Sequence, residues 1–414
     1  MINRRTVLKG SVIGAASLAF SPIARISAQE SASEIEVALT QSFVEPGHPA
    51  MQLVEAFNAK GLGTTVTATN YGANYEEIMQ RAQANISAGI GPALVLTGWK
   101  YALFADAALN LVDLSEVGGD ETQATLDRYR PWVVDIIRLN NGKLAGLPFS
   151  LSTPVLYYNR DILQAAGLEA DPVLTTWEDV TAAAQAVKEN TEVEAPILVE
   201  INEWTAQTFI QNTGGFVLDA EGKAVFDSEE ATEGMRYWTD MRDAGVVMPM
   251  ASDQMRPAFL SGDGAFYVSS IAGLAGLRAS IEFDLGTATF PTSGDKPLNP
   301  PSGGNFLGVY TQDAAQQAAA WEFLKFCAST EAVEIWNETG YLIATVDDIE
   351  PLPGQEPAYV QMEGGLTNET IWPGPRGLEA MAVFVDWMNR VVNDQVELES
   401  GMADGNAAVA ELLP

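Results

Sequence analysis

The chain after residue 30 alternates between two patterns of apolar and polar positions. Apolar residues in "EIEVALT", "TTVTATNY" and "PALVLTGW" predict three strands. The intervening stretches "PAMQLVEAFNAKG" and "NYEEIMQRAQANISAG" place apolar side chains at helical spacing, which predicts two helices with buried faces formed by Met51, Val54 and Phe57 and by Ile78, Ala82 and Ile86. Strands and helices in this order predict an α/β domain with a largely parallel sheet, whose ligand site lies in the loops at the carboxyl ends of the strands.

The same alternation starts again at Pro148. "PVLYYNRDIL" predicts a strand that leads into a helix, and "TTWEDVTAAAQAVKEN" predicts a helix with Thr176 and Asp179 in a capping box. "GDGAFYVSS" predicts a short strand, and "AGLAGLRAS" predicts the start of the next helix. The Pro-rich and Gly-rich segments 291–305 and 351–365 are predicted to be loops. Two similar α/β units are therefore expected.

The length of 414 residues also favours two domains, because one hydrophobic core rarely holds so long a chain. Residues 1–28 combine a basic start, an apolar run and the small residues Ser27 and Ala28, which is typical of a secretory signal. "NRRTVLK" resembles a twin-arginine export motif, although Asn3 and Val7 depart from it, so export by the Sec route stays open. No later stretch has the ~18 apolar residues that a membrane span needs.

Cysteine content and charge narrow the location and the partners. Cys327 is the single cysteine, so neither an internal disulfide nor a lipid-anchor cysteine after the signal is expected. An exported, unanchored protein suits a periplasm, although free secretion would give the same pattern. The formal net charge of −33 repels nucleic acid and anionic membrane surfaces, so neither is an expected partner.

Signals of catalysis are sparse. His48, the single histidine, lies in the turn-like segment "EPGHPA" and is interpreted as a surface or capping residue, so no catalytic triad is expected. The chain lacks GxGxxG and P-loop motifs, and it cannot form a metal site rich in Cys or His, so no cofactor is expected. Acidic residues are abundant enough that counts alone leave a glycosidase with a carboxylate pair open.

Aromatic residues beside turn residues are the main candidates for ligand contact, because their rings can stack on sugars or cations. Packing in the core is the alternative for each of them. The candidates are Tyr71, Tyr75, Trp99, Tyr101, Trp204, Tyr341 and Trp372. Trp177, Trp321 and Trp387 occur in helical patterns and are assigned to the core.

Six segments resemble one family in their order along the chain. They are "LPFSLSTPVLYYNRDILQAAGL" with "TTWEDVTAAAQAVK", "FLSGDGAFYVSS", "GGNFLGVYT", "AAWEFLKF" and "NETGYLIAT". This order resembles ABC-transporter extracellular solute-binding proteins of the maltose-binding type, and "GANYEE" and "GPRGL" resemble the glycerol 3-phosphate-binding members. The resemblance implies a non-enzymatic, two-lobed periplasmic binding protein fold of class II, a ligand in the cleft between the lobes, and ABC permease subunits as partners. A monomer suits such a receptor.

The resemblance also implies three crossings between the lobes, near residues 145–150, 287–293 and 342–346. One lobe would comprise residues 29–147 and 290–342. The other would comprise residues 148–289 and 343–414. Closure of the lobes around the ligand would then signal occupancy to the permease.

Ligand-binding residues are implied position by position. The resemblance places Tyr75, Ser152, Ser270, Gly304, Tyr341 and Arg376 around the ligand. Hydroxyl groups, a glycine N–H and a guanidinium suit a phosphate, and Arg376 is the expected anchor. Trp204 falls at an aromatic wall, where the family's second tryptophan is replaced by Ile201.

Trp99 departs from the family, because it stands where the family has a ligand-binding glutamate. An indole offers one N–H donor and a ring face in place of an acceptor. This favours a glycerophosphodiester such as glycerophosphocholine over free glycerol 3-phosphate, with the quaternary ammonium against Trp99 or Trp204. A neutral sugar or oligosaccharide is the alternative ligand, and an exported carbohydrate-active enzyme is the remote alternative.

Overall fold

The computed structural model describes residues 33–247 and 250–414. The predicted signal segment 1–28 lies outside these residues. No helix within the described ranges is both long and apolar enough to cross a membrane.

The described strands form two sheets. They are β1 Ser33–Thr40, β2 Thr64–Gly72, β3 Leu94–Gly98, β4 Leu147–Ser152, β5 Pro154–Asn159, β6 Ile197–Val199, β7 Phe266–Ser270, β8 Leu285–Thr289 and β9 Gly303–Val309. The first sheet has the order β2-β1-β3-β9-β4, and the second has the order β6-β7-β5-β8. In the first sheet β1 runs parallel to β2 and β3, as the sequence predicted, whereas β9 is antiparallel to its neighbours β3 and β4. In the second sheet only β6 and β7 are parallel, so both sheets are mixed.

Helices cover both sheets. Of the predicted apolar faces, Val54, Phe57, Ile78 and Ala82 are buried, whereas Met51 and Ile86 are partly buried. The helices in the described residues are α1 Pro49–Ala59, α2 Tyr75–Ser87, α3 Ala102–Ala108, α4 Leu114–Gly118, α5 Thr122–Leu126, α6 Pro131–Ile136, α7 Arg160–Ala165, α8 Trp177–Asn190, α9 Glu203–Gln211, α10 Glu229–Asp243, α11 Ser252–Leu260, α12 Leu274–Ser280, α13 Ala314–Cys327, α14 Thr330–Asn337, α15 Glu356–Gly364, α16 Gly377–Val392 and α17 Leu398–Ala410. Short 3₁₀ turns follow β1, β3 and β7 and precede α5.

The predicted capping box of α8 is confirmed. Thr176 Oγ1 accepts from the Asp179 N–H at 3.1 Å, and the Asp179 carboxylate accepts from the Thr176 N–H at 2.9 Å. His48 is likewise a capping residue, because its Nδ1 accepts from the Ala50 N–H at the start of α1. These side chains satisfy N–H groups that a helix leaves without partners in its first turn.

One sequence-based assignment was wrong, and another holds only in part. Segment 351–365 was predicted to be a loop, but it contains α15, whose Pro357 lies in the first turn, where a missing N–H costs the helix nothing. Trp387, assigned to the core, is partly buried and packs against a cluster of buried side chains, while the Arg390 guanidinium lies 4.8 Å from its ring centre. Trp177 and Trp321 are buried as predicted.

The chain passes between the sheets at three places. The first passage is at Thr153, between β4 and β5, so β4 belongs to the first sheet although the predicted lobe boundary follows residue 147. The second lies between β8 and β9, and the third follows α14. One cluster of buried apolar side chains surrounds the first sheet and extends to Tyr157, Leu198 and Tyr267 of the second sheet. A separate cluster includes Leu156 and Val268, also of the second sheet. The residue boundaries of the two lobes stay predictions.

Candidate ligand-binding cleft

A cavity of about 370 Å³ lies where the two sheets approach each other. We call it the cleft cavity. Its walls come from the ends of β3, β4 and β7 and from the starts of α2, α9 and β9. The lining residues are Tyr75, Gly98, Lys100, Ser152, Asn202, Glu203, Trp204, Ser270, Ala272, Gly303, Gly304, Tyr341 and Glu369.

Six of the eight residues predicted to bind ligand line this cavity: Tyr75, Ser152, Trp204, Ser270, Gly304 and Tyr341. Ser152 and Ser270 are the last residues of β4 and β7, so their hydroxyls lie at strand ends, one on each sheet. Hydroxyl groups can both donate and accept hydrogen bonds, which suits a ligand with several polar groups.

Gly303 and Gly304 bring the backbone of β9 against two tryptophans. A Cβ at Gly304 would lie 2.0 Å from the Ser150 carbonyl oxygen and 2.8 Å from Trp99 Cζ2, and the residue has a φ of +151°. A Cβ at Gly303 would lie 2.8 Å from Trp204 Cζ2. Only glycine fits at residue 304 without a shift of the neighbouring backbone, and it leaves the main chain open to the cavity.

The aromatic residues of the cleft cavity supply hydroxyl groups as well as apolar ring surface. The Tyr75 hydroxyl accepts a hydrogen bond of 2.8 Å from Asn305 Nδ2, and burial raises the pKa of Tyr75 to about 12. Burial and the adjacent Tyr75 hydroxyl also raise the pKa of Tyr341. Both phenols are therefore protonated at neutral pH. Trp204 is held by its Nε1–H, which donates to the Ser302 carbonyl at 3.2 Å.

The charged groups of the cleft cavity were not predicted. Lys100 forms an ion pair with Glu203, and each of these side chains is only 15% exposed. Glu369 is buried beside them. Burial lowers the pKa of Lys100, an effect that Glu369 and Glu76 oppose. Burial raises the pKa of Glu369 to about 7, although Lys100 partly opposes this.

Sequence patterns gave only weak signals for these three residues. Lys100 directly follows Trp99 in the 3₁₀ turn after β3, and Glu203 directly precedes Trp204, so each adjoins a predicted site residue. Glu369 lies in "LTNETIW", which has no feature that separates it from the other acidic residues of the chain. Its position in the cleft depends on tertiary folding.

Trp99 and Arg376 lie outside the walls of the cleft cavity. Trp99 is 1% exposed and packs behind Gly304, and its Nε1 has no hydrogen-bond partner among the described residues. Arg376 is exposed and donates from Nε and one terminal nitrogen to the two oxygens of Glu379, both at 2.7 Å. Contact of either residue with a ligand stays a prediction and would require a different arrangement.

A second, larger space continues from the cleft cavity. This outer groove has a volume of about 880 Å³ and is lined from both sides, by Leu103 and Arg138 and by Phe216 and Leu218, with segment 366–371 between them. Glu369 lines both the cleft cavity and the outer groove. A ligand longer than the cleft cavity would pass this carboxylate.

Two mixed sheets joined by three passages, with a polar and aromatic cavity between them, define a two-lobed solute-binding protein. Residues 52–368 match the family of bacterial extracellular solute-binding proteins, and the chain belongs to that family. It is the substrate-binding component of an ABC transporter and not an enzyme, which excludes the carbohydrate-active enzyme considered above.

The chain is similar to named periplasmic proteins. The sn-glycerol-3-phosphate-binding periplasmic proteins UgpB of Escherichia coli K12 and Shigella dysenteriae are each 27% identical over 322 residues, which cover 73% of this chain and 72% of theirs. This supports the predicted resemblance to the glycerol 3-phosphate-binding members.

Solved structures share the fold at lower identity. UgpB from Mycobacterium tuberculosis, in complex with glycerophosphocholine, aligns with a TM-score of 0.80 and 20% identity, over 92% of this chain and 98% of that one. The cyclic alpha-maltosyl-1,6-maltose binding protein from Arthrobacter globiformis aligns over the same shares, with a TM-score of 0.76 and 20% identity. Of these two neighbours with the same fold, one is bound to a phosphodiester and the other is named as a sugar-binding protein.

Proposed function

We propose that this protein binds an uncharged, polyhydroxylated solute, a sugar or a polyol, in the cleft cavity and delivers it to an ABC permease. One observation carries the choice of ligand. Lys100, the only cation on the walls of the cleft cavity in the described part of the chain, is already paired with Glu203, and the predicted anchor Arg376 is paired with Glu379 outside. A phosphate would therefore meet two carboxylates and no free cation.

The remaining groups of the cavity suit hydroxyl groups. Carboxylates accept hydrogen bonds from sugar hydroxyls, while serine and tyrosine hydroxyls and the Lys100 ammonium can donate to them. Trp204 offers an indole on which the apolar face of a sugar ring can stack. Together these groups hold a neutral ligand without placing a new charge in a site of low dielectric.

A phosphate ester is the second candidate, and the relationship to UgpB favours it. Glycerophosphocholine, the diester predicted from the sequence, could place its quaternary ammonium near Glu369 and Trp204. Its phosphate would need Lys100 to leave Glu203, or would need to reach Arg138 in the outer groove. Free glycerol 3-phosphate would also need Lys100 or Arg138 for its phosphate, and it has no positive charge of its own to place near Glu369.

The location of the protein and the way it delivers its solute are proposed from its membership of the solute-binding proteins. We propose that residues 1–28 direct export, that the mature protein acts as a periplasmic monomer, and that the two lobes close on the ligand. Closure is stabilised only by as much as the ligand prefers the closed arrangement. The permease would then recognise the closed form.

The test is to identify the ligand directly. Native mass spectrometry of the purified protein would show any solute retained from the cell. A thermal-shift panel of maltose, ribitol, glycerol 3-phosphate and glycerophosphocholine would follow, because a ligand that binds only the folded state raises its stability. We expect stabilisation by a sugar or polyol. Stabilisation by the phosphate esters alone would overturn the proposal in favour of the second candidate.

A further inference from the structure

Glu369 is a buried carboxylate at the junction of the cleft cavity and the outer groove. It is 9% exposed, and in residues 33–247 and 250–414 no hydrogen bond or ion pair involves its side chain. Burying a polar group without a partner costs free energy, and burying a charge costs more. The raised pKa of Glu369 reflects this cost.

The protein holds this carboxylate in place. Gln207 of α9 donates to the Asn368 carbonyl at 2.9 Å and accepts from the Thr370 N–H at 3.1 Å, so one side chain clamps the backbone on both sides of Glu369. Thr367 adds a hydrogen bond of 2.6 Å to Gln211, also on α9. A segment fixed at these points presents the carboxylate to the cavity with little freedom to turn away.

We propose that Glu369 is the specificity-determining residue of the cleft, whose carboxylate accepts hydrogen bonds from hydroxyl or ammonium donors of the solute and so selects ligands with donors over anions. The proposal rests on the proposed function and names the chemistry that the ligand must show at this point. Its position between the cleft cavity and the outer groove places the donor near the junction of the two spaces.

The groups around Glu369 determine how binding depends on pH. Lys100 attracts the ionised form, while Glu203 and Glu76 compete for Lys100, and the Tyr75 and Tyr101 hydroxyls face the carboxylate as neutral groups. A ligand donor favours the carboxylate over the carboxylic acid, so binding should release a proton near pH 7. With a pKa of about 7 in the empty cleft, affinity should rise roughly tenfold from pH 6 to pH 8. An anionic ligand would take up a proton, and its affinity would fall over the same range.

The experiment is calorimetric titration with maltose, ribitol, glucose, glucosamine, glycerol 3-phosphate and glycerophosphocholine at pH 6, 7 and 8. Two buffers of different ionisation enthalpy report proton release. Glucosamine against glucose separates an ammonium donor from a hydroxyl donor. We expect Glu369→Gln to weaken the best ligand at least tenfold at pH 8 and to remove the pH dependence. Glu363→Gln, an exposed carboxylate at the end of α15, is the matched control and should change neither.

A measurement without ligand completes the test. Because burial disfavours the ionised form of Glu369 by more than the attraction of Lys100 offsets, Glu369→Gln should raise the melting temperature of the ligand-free protein at pH 8. A lower melting temperature would show that the carboxylate is structural and would overturn the proposal, whether or not a ligand in the panel binds.

The outcomes separate the two proposals. The affinity for a sugar could be independent of pH and equal in the unchanged protein and in Glu369→Gln. That result would overturn the role of Glu369 and leave the proposed function standing. A phosphate ester that binds best, yet more tightly at higher pH and more weakly in the variant, would overturn the proposed function and support the role of Glu369. An ester that binds more tightly at low pH and in the variant would overturn both.

Discussion

The ion pair of Lys100 with Glu203 and that of Arg376 with Glu379 each join a basic side chain to a glutamate, but the two pairs differ in burial. Lys100 and Glu203 line the cleft cavity with side chains 15% exposed, whereas Arg376 and Glu379 lie on the surface at 52% and 54%. Attraction between charges is screened by water and salt at the surface and is much stronger where water is excluded. The pair that can influence a ligand is therefore the one in the cleft.

The sequence analysis instead predicted that Arg376, the basic residue of the exposed pair, anchors the ligand. Arg376 stands between prolines and glycines, a setting that restricts a loop and favours a presented side chain. The folded chain uses that geometry to start α16, and Arg376 bonds Glu379 one turn later. Local rigidity alone therefore did not indicate whether this charge faces a cavity or solvent.

Substitution of a glycine in each region should give the largest difference in ligand binding and in the free energy of unfolding. Gly304→Ala should abolish measurable ligand binding and lower the free energy of unfolding by about 3 kcal/mol or more, because the new methyl meets the Ser150 carbonyl at a positive φ. Gly374→Ala, at a φ of +79° beside Arg376, meets only the exposed ring of Pro414 and should retain binding. Urea unfolding and calorimetry measure both. Equal loss of binding in the two variants would contradict the placement of the site.

Removing the cation from each pair tests the comparison directly. Lys100→Met leaves Glu203 and Glu369 buried without a counter-charge and should lower the free energy of unfolding at pH 8 by about 3 kcal/mol. Arg376→Met should leave stability and affinity for sugars and polyols unchanged, because that pair is exposed to water. Loss of ligand affinity in Arg376→Met would restore the role that the sequence predicted for this arginine.

Much of the fold followed from local patterns. The capping box of α8, the strand β7 and the parallel pairing of β1 with β2 and β3 depend on residues close in sequence or on the simple alternation of strands and helices. The helix α15 was missed because the prolines around it suggested a loop, although Pro357 is compatible with a first turn. Local signals thus sufficed where one segment determines the structure.

The site was predictable only in part. Ser152, Ser270 and Gly304 lie at strand ends, where alternation of strands and helices places ligands, and the resemblance named them. Trp99 directly follows β3 and begins a 3₁₀ turn, which directs its ring behind Gly304, and no spacing rule encodes this. Glu369 is held at the cavity by hydrogen bonds that its neighbours Asn368 and Thr370 make with Gln207, which is 161 and 163 residues from them in sequence, so its position is set only on folding.

The pH dependence of the free energy of unfolding tests the burial of Glu369 in the cleft. The pKa of Glu369 is raised by burial from 4.5 to about 7, so the folded state holds a proton that the unfolded state has released between these values. Stability from this group is present below pH 4.5 and is lost as the pH rises through 7, by about 2 kcal/mol between pH 5 and pH 7.5. Urea unfolding of the ligand-free protein and of Glu369→Gln at both pH values isolates this contribution. An identical pH slope in the two proteins would contradict the burial of an ionisable Glu369 in the cleft.

The smallest expected effect concerns a neutral group in the same cleft. Tyr75→Phe removes the hydroxyl that accepts from Asn305 at 2.8 Å, and the amide nitrogen then lies in the site without this partner. We expect a loss of about 1 kcal/mol in the free energy of unfolding and a roughly fivefold loss of ligand affinity. Tyr237→Phe, on α10 and away from the cleft cavity, is the matched control for loss of a phenol. If Tyr75→Phe changed affinity as much as Lys100→Met, the hydroxyls rather than the buried charges would dominate recognition, and the contrast between the two ion pairs would lose its functional meaning.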